Sequence, residues 1–164
     1  MVETQKIYAF IDSQNLNLGV RSLGWELDYR KFRLYLKNKF GVSEAYMFIG
    51  YVPTNQSLYT KMQKAGFILV YKTAIMYTKH GKTIIKGNVD AELVLHSAAI
   101  EYPNYDKAII VTNDGDFLCL VQYLEKNGKL LKIIAPNKKY STLFRPYRNF
   151  IVTLDRFQNS LEKK

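Results

Sequence analysis

Short apolar runs alternate with helical patterns along almost the whole chain, and this alternation leaves few possible folds. Runs at 7–11, 44–51, 67–71, 107–112 and 130–135 are too short for buried helices and too continuously apolar for strands with a wet face. Between them, apolar residues recur at helical spacing over 29–39, 55–65, 89–101 and 116–126. Asp28 stands where the first of these helices needs a cap, Phe32, Leu36 and Phe40 share one face, and Gly41 stops it. Gly66 and Asn127-Gly128 close two others. Strands alternating with helices give an α/β fold of three layers, with a central mostly parallel sheet of about five strands and helices on both faces. Right-handed crossovers in the common doubly wound orders place the first and fourth of these strands side by side.

Other segments are less regular. Residues 75–85 read as two extended arms around the turn Thr78-Lys79-His80-Gly81-Lys82-Thr83, a hairpin pattern. Asn88 is placed to cap the helix over 89–101. The tail reads as a short helix near 140–145, an extended piece at 150–153 and a last helix from Asp155. No repeat, linker or low-complexity tract interrupts the chain, which fits one domain over 1–164, its core at about 6–155 and a C-terminal helix at 155–164.

Charge speaks to partners. The 164 residues carry 24 Lys and Arg against 14 Asp and Glu, a net charge of +10. Nucleic acid is the leading partner for such a surface. No run approaches the ~20 apolar residues of a membrane span, and Met1 to Lys6 lack the layout of a signal peptide, so a cytoplasmic location is expected. A lone cysteine, Cys119, excludes an internal disulfide and a cysteine zinc cluster. Its place in an apolar helix pattern predicts a buried thiol.

Against this basic background, three short motifs concentrate acid. Phe10-Ile11-Asp12-Ser13-Gln14-Asn15 ends a strand in an aspartate, with an amide three places on. Lys86-Gly87-Asn88-Val89-Asp90 puts an acid in the first turn of a helix and a lysine before it. Thr112-Asn113-Asp114-Gly115-Asp116-Phe117 ends the fourth strand in two carboxylates around a glycine. Each has a structural explanation: Asp12 or Asn15 as a cap for the turn or helix that follows, Asp90 at a helix dipole, one of Asp114 and Asp116 as a cap. Caps account for one carboxylate of the last pair but not for two. Ligands in open α/β sheets bind outside the carboxyl ends of the strands, and neighbouring strands lie ~4.8 Å apart. An aspartate cluster there, without cysteine and with two histidines distant in sequence, suits a hard cation, Mg²⁺ or Mn²⁺. Glu92, roughly 200° around the helix from Asp90, does not share its face. His96 reads as a structural histidine. P-loop, dinucleotide and serine-elbow fingerprints are absent.

Together these motifs resemble those of NYN domains, a branch of the PIN-like nuclease superfamily, and most of all its bacterial stand-alone LabA-like group. The resemblance covers about residues 6–155. It implies a PIN-like fold and a metal-dependent ribonuclease, with Asp12, Asp90, Asp114 and Asp116 as acidic ligands of Mg²⁺ or Mn²⁺. It also implies that Asn15 orients a ligand or phosphate and that the Thr112 hydroxyl lies near the site. Many relatives carry a further aspartate six residues after the helix acid, where this chain has His96. On an ideal helix that position is turned about 120° from Asp90.

RNA is the expected substrate. Lys79, Lys82, Lys86, Lys138, Lys139, Arg145 and Arg148 are candidate contacts to its backbone, with Tyr77, Tyr140 and Tyr147 interleaved for stacking. A homodimer is a possible assembly. The rival readings are a non-catalytic RNA-binding module on the same fold and a phosphatase of the haloacid-dehalogenase type. The second normally has an aspartate where this chain has Gln14.

Overall fold

Ile7, Ala9 and Ile11 face one side of the first strand and Phe10 the other, and all four are buried, so this strand lies between two apolar layers. The computed structural model describes residues 4–73, 75–86 and 89–164. The strands are β1 (Ile7–Asp12), β2 (Val42–Tyr51), β3 (Phe67–Thr73), β4 (Ile75–Lys79), β5 (Lys82–Lys86), β6 (Lys107–Val111), β7 (Leu130–Ala135) and β8 (Ile151–Thr153). Six of them form one sheet in the order β3-β2-β1-β6-β7-β8, and every neighbouring pair is parallel. The sheet therefore has one strand more than expected. The sixth is the extended piece at 150–153, which pairs Ile151 with Ile133 and Thr153 with Ala135. Three residues are too few to show a period of two, so composition did not single it out as a strand.

The predicted hairpin is present. β4 and β5 pair antiparallel, with Lys79 opposite Lys82. His80 and Gly81 form the two-residue turn, both at positive φ (53° and 74°), the twist that suits a tight hairpin.

Helices cover both faces. On one side α1 (Ser13–Arg21), α2 (Tyr29–Phe40), α3 (Gln56–Ala65) and the last helix supply Leu16, Val20, Phe32, Leu36, Met62 and Leu161 to a core with Ile11, Met47 and Val111. On the other side α4 (Asp90–Leu95) and α5 (Leu118–Lys126) supply Leu93, Leu120, Val121 and Leu124 against Phe10, Phe48 and Ile110. The caps read from sequence hold: Asp28 accepts the Lys31 N–H at 3.0 Å, and Gly41 and Gly66 close their helices at φ 74° and 104°. Asn88 lies outside the described residues.

The helical layer differs from expectation in four places. α1 follows a cap candidate, Asp12, but the polar Ser13-Gln14-Asn15 gives no helical range in the sequence. Asp12 starts this helix by accepting the Asn15 N–H at 3.3 Å, and Leu16, Gly19 and Val20 bury its inner face. The helix expected over 89–101 is α-helical only to Leu95 and continues as a π-helix over His96–Ile100, where Glu101 N–H reaches His96 O at 2.8 Å. Buried Ser97 returns its hydroxyl to Leu93 O at 2.7 Å there, a bond that competes with the regular ladder. The short helix expected near 140–145 is a 3₁₀ stretch over Thr142–Phe150, kinked at Tyr147, that buries Phe144. The last helix begins as a 3₁₀ turn, Leu154–Phe157, before α6 (Gln158–Leu161). Among the described residues no helix is long and apolar enough to cross a membrane.

α1 is fastened to the end of β7. Asn137 Nδ2 donates to Gly19 O at 2.9 Å, and a Cβ on Gly19 would lie 2.4 Å from Pro136 Cγ. A proline ring cannot swing aside. Gly19→Ala should therefore destabilise the fold by ~1–3 kcal/mol through overpacking, despite alanine's better helix propensity. Urea unfolding measures this, and an unchanged or raised midpoint would contradict the packing described.

Candidate metal centre

The sheet reverses its direction of winding between β1 and β6. From β1 the chain goes to β2 on one side, and from β6 to β7 on the other. The carboxyl ends of two such strands border an open crevice. Ile11 pairs with Val111, so Asp12 and Thr112 lie side by side at its edge. Both are buried, Asp12 at 6% exposure.

Beyond β6 each side chain fixes the next. Thr112 Oγ1 accepts the Asp114 N–H at 3.1 Å, and Asp114 Oδ1 accepts the Asp116 N–H at 2.9 Å. Asp114 thereby caps the 3₁₀ turn Gly115–Phe117 that leads into α5. Gly115 is needed for space, since a Cβ there would lie 2.3 Å from Ser141 Oγ and 2.9 Å from Leu143 Cδ1. Ser141 N–H in turn holds Asn113 O at 3.0 Å. Asn15 and Asn113 clasp each other: Asn15 Nδ2 donates to Asn113 Oδ1 at 2.6 Å, and Asn113 N–H donates to Asn15 Oδ1 at 3.0 Å. This clasp locks the start of α1 to the loop carrying Asp114.

Asp90, at the first position of α4, completes the arrangement. One carboxylate oxygen from each of Asp90, Asp114 and Asp116 lies within 4.8 Å of the other two. Asp12 lies outside that trio but feels it. Burial pushes the Asp12 carboxyl up to about 6, and the Asp90 and Asp114 charges add to the shift, while the Asn15 N–H acts in the opposite direction. The Asp90 carboxyl is raised by burial and by Asp114 and Asp116, and Lys72 partly offsets this. Lys72 also pairs with Glu92 at 3.6 Å. Glu92 stands apart from the trio, as its position around the helix implied. His96 sets its ring edge against Phe48, 5.3 Å between centroids.

The basic candidates spread more widely. Lys79 and Lys82 are exposed beside the hairpin turn. Lys138 pairs with Asp155 at 3.8 Å. Lys139 follows Asn137 on the loop that packs against the Asp114 segment, and its N–H is held by Asn137 Oδ1 at 2.8 Å. Arg145 and Arg148 are exposed on the 3₁₀ stretch. The Lys86 side chain lies outside the described residues. Tyr77 is exposed, whereas Tyr140 and Tyr147 pack on the core edge. Cys119 is exposed rather than buried. It sits on the outer side of α5, one step before Leu120, with Sγ 4.0 Å from Asp116 O.

Asn113, Lys72 and Ser141 also shape the site, beyond the residues the motifs single out. The signal for Lys72 was a charge closing the apolar run Phe67 to Tyr71 at a carboxyl end. Asn113 and Ser141 act through contacts between distant segments that no sequence pattern displays.

Fold and acids define a class: an α/β protein with a carboxylate group at its switch point. The chain matches the NYN domain model over residues 6–154 and belongs to that family, within the PIN-like nuclease superfamily. Members of this nuclease family generally use divalent metals and act on RNA. A crystal structure of a protein of unknown function from Vibrio parahaemolyticus RIMD 2210633 has the same fold, with a TM-score of 0.79 and 22% identity over 99% of this chain and 100% of that one. No match is found among curated proteins.

The donor set fits a hard cation: three carboxylates, with neither thiolate nor imidazole among them. Without a cation, Asp12 is a buried carboxyl whose pKa exceeds its unfolded value. The native state then binds more protons than the unfolded chain between pH ~4 and about 6, so this group's contribution to stability falls as pH rises through that window. Asp12→Asn removes the buried charge while leaving an oxygen for the Asn15 N–H. In EDTA it should stabilise the protein by ~1–3 kcal/mol at pH 7.5 and by almost nothing at pH 4. Urea unfolding at the two pH values tests this; equal effects at both would contradict the electrostatic account.

Proposed function

We propose that the chain is a metal-dependent ribonuclease that hydrolyses RNA phosphodiester bonds. The observation that carries this reading is the convergence of Asp90 with Asp114 and Asp116, from two separate segments, to within 4.8 Å on a protein of net charge +10. In this reading the three carboxylates hold Mg²⁺ or Mn²⁺, and the buried Asp12, which feels Asp90 and Asp114, adds negative charge beside them. The cation's contribution is positive charge at the phosphate and a lower pKa for the attacking water.

The chain's own residues do the positioning. Thr112 fixes the turn that aims Asp114, through the hydroxyl it offers to the Asp114 amide. Asn15, committed to Asn113, keeps α1 and the Asp114 loop in one geometry. Asp116 is exposed and leaves the site open toward solvent, where a phosphate can approach. Lys79, Lys82, Lys86, Lys139, Arg145 and Arg148 supply the charge that draws RNA in. Lys138 does so less directly, because Asp155 already partners it.

A second reading, a non-catalytic RNA-binding module, draws on two observations. Asp12 is outside the trio, and His96 occupies the place of a further acid.

Turnover separates the two. With Mn²⁺ and single-stranded RNA, the wild type should cleave and EDTA should stop it. Asp90→Asn and Asp116→Asn should each lose more than the ~10–100-fold typical of outer-shell changes at metal sites, with circular dichroism unchanged. If both variants cut like wild type, the site is misassigned. Salt-sensitive RNA binding without turnover in Mg²⁺ or Mn²⁺ would favour the binding module.

A further inference from the structure

The opposite face of the β1–β2 end carries a cleft that none of the acid chemistry uses. It encloses about 350 Å³ between α1, α3 and the end of β2. Gln14, Asn17 and Arg21 line it from one face of α1, at spacings of three and four. Asn55 faces them from the start of α3, and Ile49, Leu58 and Met62 supply apolar surface. The Arg21 guanidinium is already engaged: Nε donates to Asn17 Oδ1 at 3.2 Å, and it pairs at 3.2 Å with Glu26, which also meets Lys163 at 3.7 Å. Among the described residues, the side-chain amides of Gln14 and Asn55 are exposed and bond to no protein group.

This chemistry selects for a neutral, flat, amphipathic guest. A guanidinium held by Asn17 and Glu26 beside an apolar wall does not favour a bare phosphate. Free side-chain amides each offer donors and an acceptor, the pattern that pairs with the edge of a nucleobase. The volume lies within the usual range of ligand pockets.

Position points the same way. Ser13, at the head of the cleft, directly follows Asp12, and Asp12 pairs with Phe48 one residue before Ile49. Cleft and acids thus both border the carboxyl end of β1, on opposite faces of the sheet. It shares Glu26, Tyr29 and Leu58 with a second cavity of about 470 Å³ lined by Arg30, Lys61, Lys64 and Lys163. The shared residues join the two cavities, and beyond the uncharged amides Arg30, Lys61 and Lys64 stand beside Asp28 while Lys163 pairs with Glu26 at 3.7 Å, an excess of positive charge that suits the phosphates following a base.

We infer that the α1–α3 cleft binds a base of single-stranded RNA next to the scissile phosphate, and that the basic cavity beyond it carries the continuing backbone. This rests on RNA being the substrate, but its test needs no cleavage. The full chain, ¹⁵N-labelled and in EDTA, is titrated with rA4, rC4, rG4 and rU4 and with an abasic ribose-phosphate tetramer. At least one RNA tetramer should shift the Gln14 and Asn55 side-chain amides and bind about tenfold tighter than the abasic one. Gln14→Ala and Asn55→Ala, both at exposed positions, should bring that ratio close to one, and Leu58→Trp should fill the cleft with the same result. Equal affinity for all five tetramers, or shifts confined to other surfaces, would overturn the inference. A chain that binds in the cleft but never cleaves RNA would count against the nuclease reading alone.

Discussion

Everything at the site depends on the parallel pairing of β1 with β6. That pairing sets Asp12 beside Thr112 and delivers the Asp114 loop to the point where α4 begins. It is secured on both faces of the sheet, by Ile11 and Val111 on one side and Phe10 and Ile110 on the other, all fully buried. Sliding one strand by a residue would exchange those faces and turn the Asp12 and Thr112 side chains to the opposite layer. Burial of four apolar residues thus specifies the position of Thr112 and of a buried carboxyl, Asp12.

The acids repel one another, and the fold tolerates this by giving each a place at a helix start. Asp12 caps α1, Asp114 caps the turn leading into α5, and Asp90 occupies the first position of α4. Backbone N–H groups at helix starts favour negative charge, typically by a few tenths to 1 kcal/mol each. For Asp12 that does not outweigh burial, which pushes its carboxyl up to about 6. The capping explanation and the metal explanation are therefore not exclusive. A cap fixes where a carboxylate is, and a second oxygen on the same group remains for a cation.

Much of the fold was legible in the sequence because local signals agreed with tertiary demands. The apolar runs at 7–11 and 130–135, the Asp28 cap and the Gly41 and Gly66 stops all appear where the pattern placed them. α1 was hidden because its first turn is polar and only Leu16, Gly19 and Val20 carry its buried stripe. β8 was too short to show alternation, and the π-helical stretch depends on Ser97, whose bond to Leu93 O is not a composition signal. At the site, the acids were visible as residue types at strand ends and at a helix start. Their supports, the Asn15–Asn113 clasp and the Ser141 contact that requires Gly115, join residues 26 to 98 positions apart and emerge only when the chain is folded.

The central claim is that Asp90, Asp114 and Asp116 jointly bind a divalent cation, and a metal-linked unfolding measurement tests it most directly. Mn²⁺ at about 100 times its dissociation constant should stabilise the wild type by ~2.7 kcal/mol, seen as a rise in Tm over the EDTA-treated protein. The rise should vanish in Asp90→Asn and in Asp116→Asn. A wild-type Tm indifferent to Mn²⁺ and Mg²⁺, or a rise of the same size in both variants, would contradict the account.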